Sequence, residues 1–494
     1  MNSKRPLLFI ALAVSAILTL SSCSGLKTPC TTNCGGGGTG NAALSLTISD
    51  TPPTNTTVVS FSLPIIGITL TPSSGSPVSV FSPSSSTAFE LTRLQSDTNL
   101  IASKVSVAAG SYTAVSVTVS APSGVFINSS TSTVGSCVAG AVCSLTGSAA
   151  TITYTFPSGS PLVLTANANQ WLDLDFAYNN AIVTTSGIGI DVTQSGVLTA
   201  SSTVPTGIPS GSFANIDDFT GVVQTISSTS ITLQSSVRGS ITASLSSSIP
   251  VYDPQGQCTG GGSLSCISAG SIVSLQGLLS TAGVVSATSL DVIDASTTPA
   301  DEVEGIIYPS SCNGGSNYGL ILSDSDIFTS GSPLTSAGFG SGVCLTLAAS
   351  PSFFIDTGIL TGQSGVPTGV GFSSSSDILA GQTVRVKVTN AATGSVGINA
   401  TATALILRYS RFTASVNTVS GYTFSLTSVP AYFPTFTVSP LAQTYPSATI
   451  LEGVSSTSSL ATGNTVSVSA LFLNPSSGIT YPFQVQKVRL QPTN

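Results

Sequence analysis

Residues 112–119 read "YTAVSVTV", and Val115, Val117 and Val119 occupy every second position. Successive side chains of an extended chain face opposite sides, so this alternation marks a strand with one face on a core. The pattern recurs. "ALSLTISD" (43–50) puts Leu44, Leu46 and Ile48 on one face, and "TVVSFSL" (57–63) does the same with Val59, Phe61 and Leu63. Helical spacing is nearly absent; the best candidate is "FELTRLQSDTNLIAS" (89–103), where Leu91, Leu94 and Leu100 share a face for two to three turns. The expected fold is all-β, with at most that one short helix.

Composition narrows the function. Only 6% of the 494 residues are charged, against about 25% in an ordinary soluble domain, so the surface must be built of hydroxyls and amides. A Ser-rich chain invites a disordered reading, but 41% hydrophobic content arranged in alternating runs argues for folded sheets. The net charge is −7 and the 12 basic residues are scattered, which excludes a nucleic-acid partner, since a phosphate backbone requires clustered Lys and Arg.

Lys4 and Arg5 precede an uncharged apolar run, Pro6–Leu20, the order of a secretory leader. The run is short of the roughly 20 residues of a membrane span, although an uncleaved anchor is the alternative. Leu20-Ser21-Ser22-Cys23 resembles the bacterial lipobox. That resemblance implies a signal peptide over 1–22, acylation of Cys23, and, because Ser24 is not Asp, an outer-membrane address. The following stretch, 23–41, is short, polar and Gly-rich and reads as a flexible tether. The expected membrane partner is therefore met through lipid.

Residues 42–205 read as one β-sandwich domain. Its segments "LSLTISDTPPTNTTVVSFSLPIIGITL", "FELTRLQSDTNLIASKVSVAAGSYTAVSVTV" and "LTANANQWLDLDF" resemble the domain-of-unknown-function family numbered forty-three eighty-two, found at the start of many bacterial envelope lipoproteins. The resemblance implies no established activity. A Pro/Gly/Ser-rich linker, 206–215, follows. Three look-alike segments then predict three small β-barrel or sandwich modules in series, over 216–298, 299–411 and 412–494, the middle one with an insertion between Asp326 and Asp377. Their template weakly resembles a second such family, numbered fifty-six sixty-six.

Nine cysteines less Cys23 leave eight, and these fall into sequence neighbours: Cys30 with Cys34, Cys137 with Cys143, Cys258 with Cys266, and Cys312 with Cys344. Local disulfides are the expectation for an exported chain. The Cys30–Cys34 spacing alone would suit zinc, but it lacks a second half.

The chain has no histidine, which removes Ser-His-Asp, Cys-His and most catalytic zinc chemistry. Ser24 to Lys27 forms a Ser-x-x-Lys match inside the tether and is read as chance. No cofactor is expected. Carboxylates remain: Asp173 with Asp175, Asp324 with Asp326, adjacent Asp217 and Asp218, and the cluster Asp301, Glu302 and Glu304. They read as solvated aspartates at strand ends, with Asp324, Asp326, Asp173 and Asp175 as weak calcium candidates and a glycosidase pair as the enzymatic alternative. Trp171 and Tyr178, with Tyr112, are weak candidates for a sugar-stacking patch, or else caps on the sandwich core. The expected function is that of a lipid-anchored cell-envelope protein, non-enzymatic, binding a surface glycan or envelope protein or serving structurally; a carboxylate-based hydrolase is the competing class.

Overall fold

The computed structural model describes residues 40–491 except 55, 85–86, 185–186, 260, 309–311, 313–317 and 395–396. The leader, Cys23 and the Cys30–Cys34 pair lie outside the described residues. The chain is all-β, built as several β-modules in series along the sequence.

The first unit is a sandwich. One sheet has four strands in the order Leu198–Ser201, Asn169–Phe176, Asn41–Ser49, Asn99–Ala108. The second runs through Leu162–Leu164, Gly110–Val119, Val58–Pro72, Ser123–Ile127 and Val142–Thr146, with three further short strands paired to it. Leu44, Leu46 and Ile48 meet Val115, Val117 and Val119 in one core, as their alternation requires. In place of the expected helix, "FELTRLQSDTN" forms a single 3-10 turn at Leu91–Leu94, after which the chain extends. Leu91 and Leu94 do share a buried face, because residues three apart eclipse in such a turn. Glu90 caps its start, accepting from the Thr92 N–H at 3.3 Å and the Thr92 hydroxyl at 2.8 Å, and beyond its end Asp97 accepts from the Thr98 N–H at 2.6 Å, competing with helical backbone bonding.

The three remaining units are small barrels. In the first, six strands from Ser212–Ile226 to Val285–Asp294 lie in the order third, second, first, fifth, sixth, fourth, and the third joins the sixth in a parallel pair, Ala243 beside Val285. The last, from Ser410–Ser420 to Phe483–Leu490, has the same order and the same closure, Ala442 beside Phe483. The fifth strand returning beside the first is a Greek-key connection. The middle barrel closes with five strands because its third strand, Gly342–Ile355, serves twice. Val343–Leu347 pairs with Ile398–Ala402 and then, past an irregularity, Ser352–Ile355 pairs with Ala404–Leu407. Third and fourth strands are thus fused within the expected insertion.

The units are not free beads. Val59, Val125 and Ile127 of the sandwich and Ile321 of the middle barrel share a core with the last barrel, and Trp171 of the sandwich joins the core of the first. The linker docks too: Gly453 N–H donates to Thr206 O at 2.7 Å. Disulfides join Cys137 to Cys143, Cys258 to Cys266 and Cys312 to Cys344.

In the last barrel, Phe412 is fully buried with ring centroids 5.0 Å from Phe433 and 4.9 Å from Phe483. Phe412→Ala is expected to cost about 3–5 kcal/mol in chemical denaturation, whereas Tyr422→Ala, at an exposed tyrosine of the same barrel, should change stability by no more than about 0.5 kcal/mol.

Candidate functional site: a buried ionic junction

The carboxylates expected on the surface are inside. Asp217, Asp218, Glu302, Glu304, Asp324 and Asp326 are buried and Asp173 and Asp175 half-buried, and this corrects the strand-end reading. The units meet around these groups. Isolated buried carboxylates are very costly, so each must find cations or donors.

A backbone irregularity sets the centre. Along Ser212–Ile226, Ile216 and Phe219 both point into the barrel core, and the two residues between them stand opposite the single Gln276, so the strand carries one extra residue. Asp218 takes φ 48°, a left-handed conformation that Asp tolerates better than most residues. This bulge turns adjacent Asp217 and Asp218 out of the same barrel, which regular alternation would forbid. Asp218 pairs with Arg408 and Arg411, lies 3.8 Å from Arg93, and accepts from the Ser274 hydroxyl at 2.7 Å. Burial raises its pKa, but the three guanidiniums outweigh burial and hold it well below the ordinary value.

Glu302 and Glu304 flank the core residue Val303 on the first strand of the middle barrel, so both face outward into the junction. Glu304 takes Arg93 at 2.6 Å, Arg385 at 3.5 Å and Arg408 at 3.8 Å. Burial opposes ionisation there, and the arginines overcome it to hold the pKa at about 2. Arg385 also meets Glu302 at 2.5 Å, Asp324 at 3.7 Å and Asp326, while Arg408 pairs with Asp356. Asp324 is pushed up to about 6 by burial and by neighbouring Asp326.

The outer pairs complete the ring. Arg238 holds Asp97 at 2.8 Å, donates to the Asp217 and Thr98 carbonyls, and sits 5.1 Å over the Phe219 ring. Lys387 bonds Asp294 at 2.8 Å. Lys487 meets Asp217 at 2.6 Å and Glu452 at 2.9 Å, and Arg489 meets Glu452 at 2.8 Å and the Thr98 hydroxyl at 2.7 Å. Every unit contributes: Arg93 and Asp97 come from the sandwich, Asp217, Asp218 and Arg238 from the first barrel, Glu304 and Arg408 from the middle one, Arg411 and Lys487 from the last. The sandwich's share is carried by Phe89–Asn99, all of it buried. Of the nine basic residues among the described ones, only Lys104 forms none of these bridges.

The expected site residues fall at these places in the structure. The calcium candidates are engaged by donors: Asp324 and Asp326 face Arg385, Asp173 accepts the Thr47 and Ser49 hydroxyls at 2.6 Å each, and Asp175 accepts Thr51 at 2.6 Å. Asp301 caps a loop, accepting the Phe328 and Thr329 N–H groups. Trp171 and Tyr178 offer no sugar-stacking face. Trp171 donates to Thr47 at 2.8 Å and stacks on Phe213, while Tyr178 is fully buried against Phe61. Tyr112 is buried in the sandwich core.

A cavity of about 20 Å³ lies at the junction, lined in part by Arg93, Gln95, Ser323, Arg411 and Tyr432. A wider recess of about 470 Å³ opens on the surface, walled by the Leu426–Pro440 segment of the last barrel with Phe433 and Phe436.

Sequence reasoning missed Arg93, Arg238, Arg385, Arg408, Arg411 and Lys487 as a set. One signal was present: "DFTGVVQTI" (218–226) and "RFTASVNTV" (411–419) align residue for residue, and their leading residues have opposite charge. No protein-family model matches the chain, and no curated protein is significantly similar to it.

Asp218→Ala leaves three guanidiniums facing a void and is expected to cost about 3–5 kcal/mol in urea unfolding, against no more than about 0.5 kcal/mol for Lys104→Ala. The pH profile follows from two opposed groups. Glu304 and Glu452, held at about 2, and Asp218, also lowered, add stability that is present above the unfolded pKa and lost as pH falls towards 2. Asp175, Asp217 and Asp324, raised to about 6, and Asp291, raised to about 7, all chiefly by burial, contribute stability that is full below the unfolded pKa and lost as pH rises through those values. The urea midpoint should therefore be highest near pH 4 and fall on both sides; a midpoint that climbs steadily to pH 8 would contradict the assignment.

Proposed function

We propose that the chain is a lipid-anchored cell-envelope protein whose role is binding or structural rather than catalytic. Acyl chains on Cys23 hold it to the outer membrane, the tether sets the folded units off from the headgroups, and the partner is an envelope protein or surface glycan. Each buried CH₂ of an acyl chain contributes roughly 0.8 kcal/mol, so two or three chains anchor durably where one would not. The lipobox-like Leu20–Cys23 and the apolar leader support the anchor.

The observation that carries the non-catalytic reading is where the charge goes. Almost all the cations of the described residues are engaged in fixing four β-units to one another, and the exterior is left to hydroxyls. A hydrolase built on paired carboxylates is the second reading. The pairs Asp217–Asp218, Glu302–Glu304 and Asp324–Asp326 face arginines or lysine in the interior, Asp173–Asp175 accept threonine and serine hydroxyls, and the cavity at the junction, about 20 Å³, has room for a water molecule but not for a sugar ring.

In a bacterial host, the full chain is expected to incorporate labelled palmitate and sediment with membranes, and Cys23→Ala to lose the label and appear in the soluble fraction. A Cys23→Ala chain that still sediments with membranes would overturn the anchor.

A further inference from the structure

Lys487 lies on the last strand of the last barrel, its ammonium group 1% exposed. Its Nζ stands 2.6 Å from Asp217 Oδ2, on the bulge of the first barrel, and 2.9 Å from Glu452 Oε2, on the short fourth strand of its own barrel. Those carboxylates are 6% and 7% exposed. One amine, one carboxyl to receive it and a second carboxylate to carry the proton are thus assembled around a single nitrogen, away from water. We infer that Lys487 and Asp217 condense into an intramolecular isopeptide bond, with Glu452 as the proton carrier.

The atoms balance without any co-reactant. Within the ion pair, the ammonium passes a proton to the Asp217 carboxylate, leaving a neutral amine beside a neutral acid. The Nζ lone pair attacks Asp217 Cγ; the C–N bond forms as the carbonyl π pair moves to oxygen. Glu452 takes a proton from the now positive nitrogen and returns it to the hydroxyl, which departs as water while the carbonyl re-forms. The sum is amine plus carboxylic acid giving amide plus water.

The surroundings bring the reacting atoms together and set the protonation from which the reaction starts. Burial disfavours the Lys487 ammonium, but Asp217 and Glu452 outweigh it and hold its pKa above the ordinary value, so the neutral pair left by proton transfer is a minor form that is drawn off as the amide forms. Burial raises Asp217 to about 6 even beside the ammonium, so the acid form is within reach. Burial opposes ionisation of Glu452 as well, but Arg489 and Lys487 hold it at about 2; it is therefore an anion, and it becomes more basic once Lys487 has given up its charge. Both reactants are fixed by the packing of two barrels, so no translational freedom is lost in bringing them together. Lys387 makes a useful contrast: it has Asp294 at 2.8 Å, but it is 18% exposed, its second carboxylate is 3.9 Å away, and that carboxylate is engaged by Arg385.

The bond would close a loop across 270 positions of sequence and tie the first and last barrels covalently. The test uses the full chain purified from membranes, reduced, unfolded, treated with an amine-acylating reagent and digested at aromatic residues. In the wild type, the peptides carrying Asp217 and Lys487 are expected joined, with a mass one water below their sum, and the undigested reduced chain should migrate faster on a denaturing gel than Lys487→Arg. Glu452→Gln should lose most of the linked peptide. A wild-type digest in which Lys487 is recovered acylated, on an unlinked peptide, overturns the inference, and that result stands even if the variants fail to fold.

Discussion

A carboxylate withdrawn from water must be met by cations, and Asp218 is where this chain meets that demand most completely. Its side chain draws Arg93 from the sandwich, Arg408 from the middle barrel and Arg411 from the last, while its own backbone belongs to the first. Relocating any one of the four units would leave charge unpaired in the interior, where the penalty far exceeds that of losing a surface pair. The bulge at Asp217–Asp218 is the backbone device that makes this geometry available, since a regular strand would have turned one of the two carboxylates into the apolar core of its own barrel.

The ionic centre does not hold the units together by itself. Desolvation offsets much of the attraction within a buried pair, so net cohesion must come from the apolar patches around it, such as Val59, Val125 and Ile127 of the sandwich packed with the last barrel, and Ile272, Ile293 and Ile406 between the first and the middle one. Those patches supply attraction with little directionality. The guanidinium and carboxylate groups supply direction, because planar donors bond only along fixed axes. A body with so few charges elsewhere depends on this division between the two kinds of contact.

Much of the fold was legible because sheets announce themselves through alternation. Val115, Val117 and Val119 faced inward as spacing required, and three look-alike segments became three barrels. The junction was far less legible. Asp217 and Asp218 look like neighbours on opposite faces unless a bulge is anticipated, and nothing local in "NIDDF" announces one. Arg93 sits in a stretch whose leucine spacing suggested a helix, and its partners are more than a hundred residues distant. Low overall charge misled in a specific way: sparse aspartates were read as solvated, whereas scarcity in a chain with a hydroxyl surface left them free to be interior groups. Trp171 and Tyr178 were visible as aromatics, but which side of a strand meets another unit is a tertiary fact.

The repeat explains why the junction is charged. The first and last barrels share strand order, closure and the aligned segments that begin at Asp218 and Arg411. Two such similar surfaces, if apolar at the seam, would pack on themselves or on copies in other chains about as well as on each other. Opposite charges at the same position remove that degeneracy: like barrels would bring Asp218 against Asp218 or Arg411 against Arg411, both repulsive in a low dielectric, whereas unlike barrels bring Asp218 to Arg411. The middle barrel has Glu302 at the aligned place, and it meets Asp218 instead through Arg408, at the end of its last strand. In a chain assembled from near copies, the sign at this one aligned position thus sets the last barrel apart from the other two.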